Sequence, residues 1–249
     1  MEETFTLLLR FELLLALLAF ISCTLIIAPY GRHARPGWGP TITAQWGWIL
    51  QELPAFLVII GFYLYYAGYT NPVATIFLLI WQTHYFHRTF IYPQQMKGKT
   101  KPFPLLVVFS GFLFNSLNGT LHGMELFSLR DYSQDWLWSP QFLLGLAIFI
   151  LGFRINKTSD ATLRRLREDG DGYKIPRGGL YEQISCPNYL GEILGWFGWA
   201  ILTWSWAGLA FFLFTLANLV PRAISNHRWY QQTFEDYPTG RRALIPYLL

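Results

Sequence analysis

The chain has 249 residues, of which 53% are hydrophobic and only 14% are charged, with a formal charge of +4. A soluble domain carries about 25% charged residues, so an ordinary soluble fold is excluded, and apolar runs recurring from end to end predict an all-α polytopic membrane protein forming one domain over residues 1–249. The basic residues are too dispersed for a nucleic-acid surface, and Cys23 and Cys186 lack the spacing of a disulfide framework or a cysteine-ligated metal site.

Seven spans are expected, at roughly 5–28, 45–67, 72–92, 104–122, 140–156, 188–204 and 206–224. The first, Phe5 to Ala28, is too long for a signal-peptide core, has no basic residue before it and no small-residue cleavage site after it, and is read as a retained span. Glu12 within it either sits near the outer interface or faces a neighbouring helix. Apolar packing is the plain reading of Cys23. The 29–44 connection, with Arg32 and Arg35, is rich in Pro and Gly and reads as irregular.

The second span contains Trp48-Ile49-Leu50-Gln51-Glu52-Leu53-Pro54, where Glu52 is a carboxyl well inside an apolar run and Pro54 favours a kink. A buried Glu lacking a cation tends to stay protonated and can donate a hydrogen bond. The third span ends in Trp81-Gln82-Thr83-His84-Tyr85-Phe86-His87-Arg88-Thr89-Phe90-Ile91-Tyr92. On a helix, Trp81, Tyr85, Arg88 and Tyr92 share one face. Polar groups at membrane depth are costly, so this face is read as one wall of an internal cavity. His84 and His87 point elsewhere and are read as interhelical hydrogen-bonding residues.

Loop 93–103 carries Lys97, Lys99 and Lys101. Asn115, Asn118 and His122 close the fourth span and either line a cavity or tie helices together. Loop 123–139 is net acidic, with Trp136 and Trp138 suited to the interface. The fifth span runs on into a polar helix on which Asn156, Asp160, Arg164 and Arg167 form one stripe, ended by Glu168-Asp169-Gly170-Asp171-Gly172. Tyr173 to Cys186 reads as a loop, and Asn188 and Glu192 open the sixth span. The seventh leads into Arg222, Asn226, His227 and Tyr230, and the tail from Phe234 reads as a polar turn with an apolar end on the membrane surface.

With these spans, 17 of the 19 Lys/Arg residues fall on one side, Arg10 and Arg130 being the exceptions. The positive-inside rule then makes that side cytosolic, with the N-terminus outside and the C-terminus in the cytosol. Glu52, Tyr85, Arg88, Asn156, Asp160, Arg164, Arg167, Asn188, Glu192, Arg222 and Tyr230 converge there. Cations beside amides and carboxylates suit a polyanionic nucleotide with a ribose, and they also describe a plain solvated basic face. No GxGxxG is present and the longest loop, 157–187, is too short for a βαβ fold, so a nucleotide would bind in the mouth of the bundle. No metal site is expected. From residues alone the chain is a membrane enzyme or carrier with a basic cytosolic pocket.

Several segments resemble the steroid 5-alpha-reductase family: Gln51-Glu52-Leu53-Pro54, His84 to Tyr92, Ile155-Asn156 with Ser159-Asp160, and Tyr173-Lys174-Ile175-Pro176 with Gly178-Gly179-Leu180. They continue through Asn188-Tyr189-Leu190-Gly191-Glu192 and Arg222-Ala223 to Phe234-Glu235-Asp236-Tyr237-Pro238 and Ala243-Leu244-Ile245-Pro246. The resemblance is strongest over 46–249 and implies a seven-helix NADPH-dependent reductase of 3-oxo-4-ene steroids. It implies that Glu52 and Tyr85 hold the ketone oxygen, with Trp48, Gln51 and Phe114 expected against the substrate. The cofactor positions it implies are Asn156, Asp160, Arg167, Tyr173, Asn188, Glu192, Arg222 and Tyr230, with Arg88 and Tyr92 along the path to the nicotinamide.

The sequence departs from the family pattern at Met96-Lys97-Gly98-Lys99-Thr100-Lys101-Pro102, where Lys97 and Lys101 serve as point charges, and at Ser225-Asn226-His227, where Asn226 remains a hydrogen-bonding group. Arg164 joins the cofactor set from the helical stripe. The partners implied are a steroid and the lipid bilayer, with no obligatory protein partner. The membrane is the cytoplasmic one in a bacterium or the endoplasmic reticulum in a eukaryote. Other readings compete: a membrane reductase acting on a polyprenol or an enoyl thioester, an isoprenylcysteine-type methyltransferase, and a non-enzymatic sterol carrier.

Overall fold

The computed structural model describes residues 1–26, 33, 35–67, 71–167 and 172–249. Arg32, the last two residues of the first expected run (Ile27 and Ala28) and the acidic breaker 168–171 lie outside them. Seven long helices follow the seven apolar runs: α1 (Glu2–Leu25), α2 (Ala44–Phe62), α3 (Pro72–Phe86), α5 (Leu105–Met124), α6 (Pro140–Leu166), α7 (Pro187–Thr203) and α8 (Trp206–Thr233). Between α3 and α5 lies a short helix, α4 (Tyr92–Gln95). Among the described residues, five helical stretches are long and apolar enough to cross a membrane: those starting at Glu2, Ala44, Leu105, Pro140 and Trp206.

The starts follow local sequence. Asn71 accepts from the Val73 and Ala74 amides ahead of Pro72, and Ser139 accepts from the Phe142 amide ahead of Pro140. Ser205 caps α8 in the same way through Gly208, and Glu125 reaches across to accept from the Trp206 and Ala207 amides at 3.0 and 2.7 Å. This last cap is nonlocal: the acidic outer loop expected after residue 123 is instead a continuation of α5 into a π-type turn, Glu125–Leu129.

Two features depart from an all-α reading. A two-stranded antiparallel sheet pairs β1 (Thr41–Thr43) with β2 (Pro102–Pro104), placing Ile42 opposite Phe103. Prolines at both ends of β2 hide it from propensity, because they donate no ladder bond. The carbonyls of Lys101 and Lys99 then accept from the Ala44 and Gln45 amides at 2.9 Å each, capping α2 with a segment far along the chain. Second, the tail does not simply lie on the surface. Arg242 bridges to Ile184, Ala243 and Leu244 are buried, and Arg241 donates to the Pro176 carbonyl at 2.9 Å, while Ile245, Tyr247 and Leu248 stay exposed.

Helices α6 and α7 touch backbone to backbone. A Cβ on Gly191 would lie 2.4 Å from the Asn156 amide nitrogen, and one on Gly152 would lie 2.3 Å from that of Gly195. Small residues permit such approach in membrane bundles. The closeness sets Asn156 beside Asn188 and Glu192. The bundle's centre is aromatic: Phe77, Trp81, Trp196, Trp199 and Phe211 pack together.

Candidate active site

The basic ends of the helices enclose a cavity of about 530 Å³, within the range of small-molecule sites. The third helix enters it through a π-type turn, His87–Ile91. Such a turn is common at functional positions. Here Arg88 and Tyr92 line the cavity, while Trp81 and Tyr85 lie deeper and buried.

Arg88 is the hinge of the arrangement. It donates from Nη2 and Nε to Glu52 Oε1 at 2.8 and 3.3 Å, and its Nη1 lies 3.9 Å from Glu192 Oε2. Glu52 therefore has a cation after all, and the expectation built on a lone carboxyl does not hold. Arg88 sits three residues beyond Tyr85 and reaches back to α2, a contact that only the helix pairing reveals. Its guanidinium also lies 5.2 Å from the centre of the Trp48 ring, a cation–π distance.

Glu192 collects donors on both oxygens. Trp196 Nε1 donates to Oε1 at 3.2 Å and Asn156 Nδ2 to Oε2 at 3.0 Å. His84 Nε2 stands 3.3 Å from Oε1, within ion-pair distance but outside hydrogen-bond geometry. Asn156 also donates to the Asn188 carbonyl, and Asn188 donates to Asp160 at 3.2 Å. His87 pairs with Lys157 at 3.0 Å, across α3 and α6.

Tyr85 is 2% exposed, packed against Trp81 at 4.8 Å, His84 at 5.2 Å and Trp196 at 5.8 Å. Among the described residues no group hydrogen-bonds its hydroxyl. Glu52 is 5% exposed and near enough for its charge to act on the Tyr85 phenol. A buried phenol without a partner beside a carboxyl can meet one oxygen atom of an apolar guest.

The family described as 3-oxo-5-alpha-steroid 4-dehydrogenase matches residues 101–249. The steroid 5-alpha-reductase DET2 of Gossypium hirsutum is 45% identical over 94% of this chain and 93% of its own. The 3-oxo-5-alpha-steroid 4-dehydrogenase 2 of Sus scrofa is 45% identical over 83% and 82% of the two chains. The Homo sapiens 3-oxo-5-alpha-steroid 4-dehydrogenase 1 is 41% identical over 95% and 96%.

The chain belongs to the steroid 5-alpha-reductase family.

In this family member, Arg88, Tyr92, Lys97, Lys101, Asn156, Asp160, Arg164, Arg167, Tyr173, Asn188, Glu192, Arg222 and Asn226 all line the one cavity, together with Trp48. Tyr230 does not: it is buried behind the wall, stacked on Tyr237 at 5.3 Å. Gln51 is buried on α2, its carbonyl accepting from Asn115 Nδ2 at 2.7 Å, and Phe114 stacks on Phe214 at 3.7 Å. Both lie outside the cavity lining.

Other wall residues escaped the sequence reading. His33 pairs with Asn226 at 3.2 Å and belongs to the lining, so the Pro/Gly-rich connection contributes a wall. Cys23 also faces the cavity, 3.7 Å from Asn218 Oδ1, rather than packing among apolar groups. Their lone positions in a nonpolar span and an irregular loop carried no signal. Lys97 donates to the Arg167 carbonyl at 3.0 Å and so ties the 93–103 loop across the rim to the end of α6.

Proposed function

We propose that this protein reduces the 4,5 double bond of 3-oxo-4-ene steroids to 5-alpha-3-oxo steroids with NADPH. The reading is carried by one observation: a buried tyrosine hydroxyl with no hydrogen-bond partner among the described residues stands one helical turn from Arg88, which pairs with Glu52 and lines the cation-rich cavity. Membership of the family gives the reaction class. The donor set fits a phosphorylated dinucleotide, since Lys97, Lys101, Arg164, Arg167 and Arg222 offer charge to phosphates while Asn156, Asp160, Asn188 and Glu192 offer hydrogen bonds to ribose and amide groups.

NADPH, when bound, supplies the hydride to the far carbon of the conjugated alkene. Tyr85 donates to the ketone oxygen, and Glu52, fixed by Arg88 through Oε1, forms the polar wall of the ketone site. As negative charge moves onto that oxygen the Tyr85 bond strengthens, in a site dry enough to make it count. The enolate then takes a proton at the alpha carbon. Arg88 holds the Glu52 carboxyl in place and touches the cofactor cavity, so it aligns the two halves of the site.

The whole chain is proposed to act as one membrane domain, with all seven long helices spanning, the N-terminus outside and the basic cavity in the cytosol. The charge asymmetry supports that orientation.

Purified protein in lipid nanodiscs, given NADPH and a 3-oxo-4-ene steroid, should yield the saturated 5-alpha ketone by mass spectrometry. Polyprenol and enoyl-thioester acceptors run alongside test the nearest competing readings. Oxidation of NADPH with one of those acceptors and none with the steroid would overturn the assignment, as would binding of S-adenosylmethionine in place of NADPH.

A further inference from the structure

Glu52 sits where its own helix is least able to hold it. Pro54 lies inside α2. Proline has no amide proton, so the Leu50 carbonyl, two residues before Glu52, loses its ladder donor. In a membrane bundle such gaps are closed by side chains of neighbouring helices.

Trp81 Nε1 donates to the Ala55 carbonyl at 2.9 Å and Gln82 Nε2 to the Phe56 carbonyl at 2.9 Å, both from α3 and both beyond the proline. Before the proline, Asn115 Nδ2 of α5 donates to the Gln51 carbonyl at 2.7 Å. The Gln51 carbonyl belongs to the same planar peptide unit as the Glu52 amide nitrogen. A bond on that oxygen therefore fixes the plane from which the Glu52 side chain springs.

The α5 face that carries Asn115 permits close approach. Gly111, Asn115 and Gly119 recur at four-residue spacing and so share one face. A Cβ on Gly111 would lie 3.0 Å from Gln51 Cβ, and one on Gly119 would lie 3.3 Å from Val58 Cβ. Asn115 is the polar member of that row and is 8% exposed. A buried amide there is costly unless bonded, and the Gln51 carbonyl is its partner.

Glu52 is held from two sides. Arg88 fixes its carboxyl from the third helix, and Asn115 fixes its backbone from α5. Trp81 also stacks on Tyr85, and Gln82 reaches a carbonyl four residues further on. Of these three ties to α2, Asn115 is the one that acts at the Glu52 peptide.

We infer that Asn115 is a positioning residue for the reaction: through the Gln51 carbonyl it sets the placement of Glu52 in the ketone site. This rests on the reductase reading, in which Glu52 forms the polar wall of that site.

The test is a double-mutant cycle on the single-turnover rate with NADPH and a 3-oxo-4-ene steroid in nanodiscs. Asn115→Ala removes the donor without adding bulk, and Asn115→Leu removes it at similar volume, so the cycle does not depend on one variant folding. Each should slow the step about 10-fold. In a Glu52→Gln background the same change should cost less than about 2-fold, because the carboxyl it positions is already gone. Amide hydrogen exchange across residues 50–56 should quicken in Asn115→Ala. Trp136→Phe, which deletes a comparable bond to the Leu202 carbonyl, should lower the unfolding temperature and leave both the rate and that exchange unchanged. A wild-type rate or unchanged exchange in the Asn115 variants overturns the inference. So does an equal fold-loss with and without the Glu52 carboxyl, or an equal slowing by Trp136→Phe. Unchanged turnover in Glu52→Gln alone tells instead against the reading on which the inference rests.

Discussion

Tyr85 and Glu52 come to one place from different helices, and each is held by a different force. Tyr85 is clamped by the rings of Trp81, His84 and Trp196, so its hydroxyl direction is set by packing. Glu52 is held by Arg88 through one carboxyl oxygen. Tyr85→Phe keeps the ring and removes only the donor, so kcat is expected to fall by about 100–1000-fold with little change in cofactor affinity. Single-turnover kinetics and a binding titration with NADPH separate the two effects. An equal loss of cofactor binding would place the phenol in the nucleotide site instead.

Element-scale geometry depends most on the α6–α7 contact. Gly191 lets the α7 backbone approach the Asn156 amide, and this closeness puts Asn156 within reach of Glu192 and Asn188. Gly191→Ala forces a Cβ into that backbone and is expected to cost roughly 1–3 kcal/mol or more, read as a lower unfolding temperature in detergent together with weakened NADPH binding. Gly195→Ala on the same helix meets nothing within 4 Å and serves as the control, with an unchanged unfolding temperature.

The tail makes a second element-scale contact. The Gly178 amide, donating to Glu182 at 2.5 Å, holds this exposed carboxyl below its ordinary value of 4.5, and Glu182 in turn faces Arg241 at 3.6 Å. A carboxyl depressed in the folded state stabilises above its unfolded pKa and loses that contribution as pH falls through its folded one. Limited proteolysis should therefore release the C-terminal segment faster below about pH 4 than at pH 7, and Glu182→Gln should flatten the difference.

Across the whole molecule, charge and apolar length act together. The cavity gathers cations from four separate regions: the 93–103 loop, the end of α6, the third helix and α8. Lys97 and Lys101 sit at its exposed rim, where ion pairing is weak and screened. Replacing both with Ala should raise the NADPH Kd by about 2–5-fold and flatten its dependence on ionic strength in a fluorescence titration. The same asymmetry predicts that a cysteine placed at Thr100 is labelled from the opposite side of the membrane to one placed at Ser133.

By itself the sequence determined the number and order of the long helices and most of the cavity's polar lining. Those are local properties: apolar run length and spacing along one helix face. Tertiary structure alone decided the partners. The Arg88–Glu52 pair, the Glu125 cap on α8, the β1–β2 pairing and the exclusion of Tyr230 from the cavity each join residues far apart in the chain. Which side chain faces which across a helix interface depends on register and rotation, and in the α6–α7 case on glycines that let backbones touch. The burial of Glu12 belongs to the same class: a carboxyl in an apolar run is visible in the chain, but its full burial is visible only once the neighbouring helices are in place.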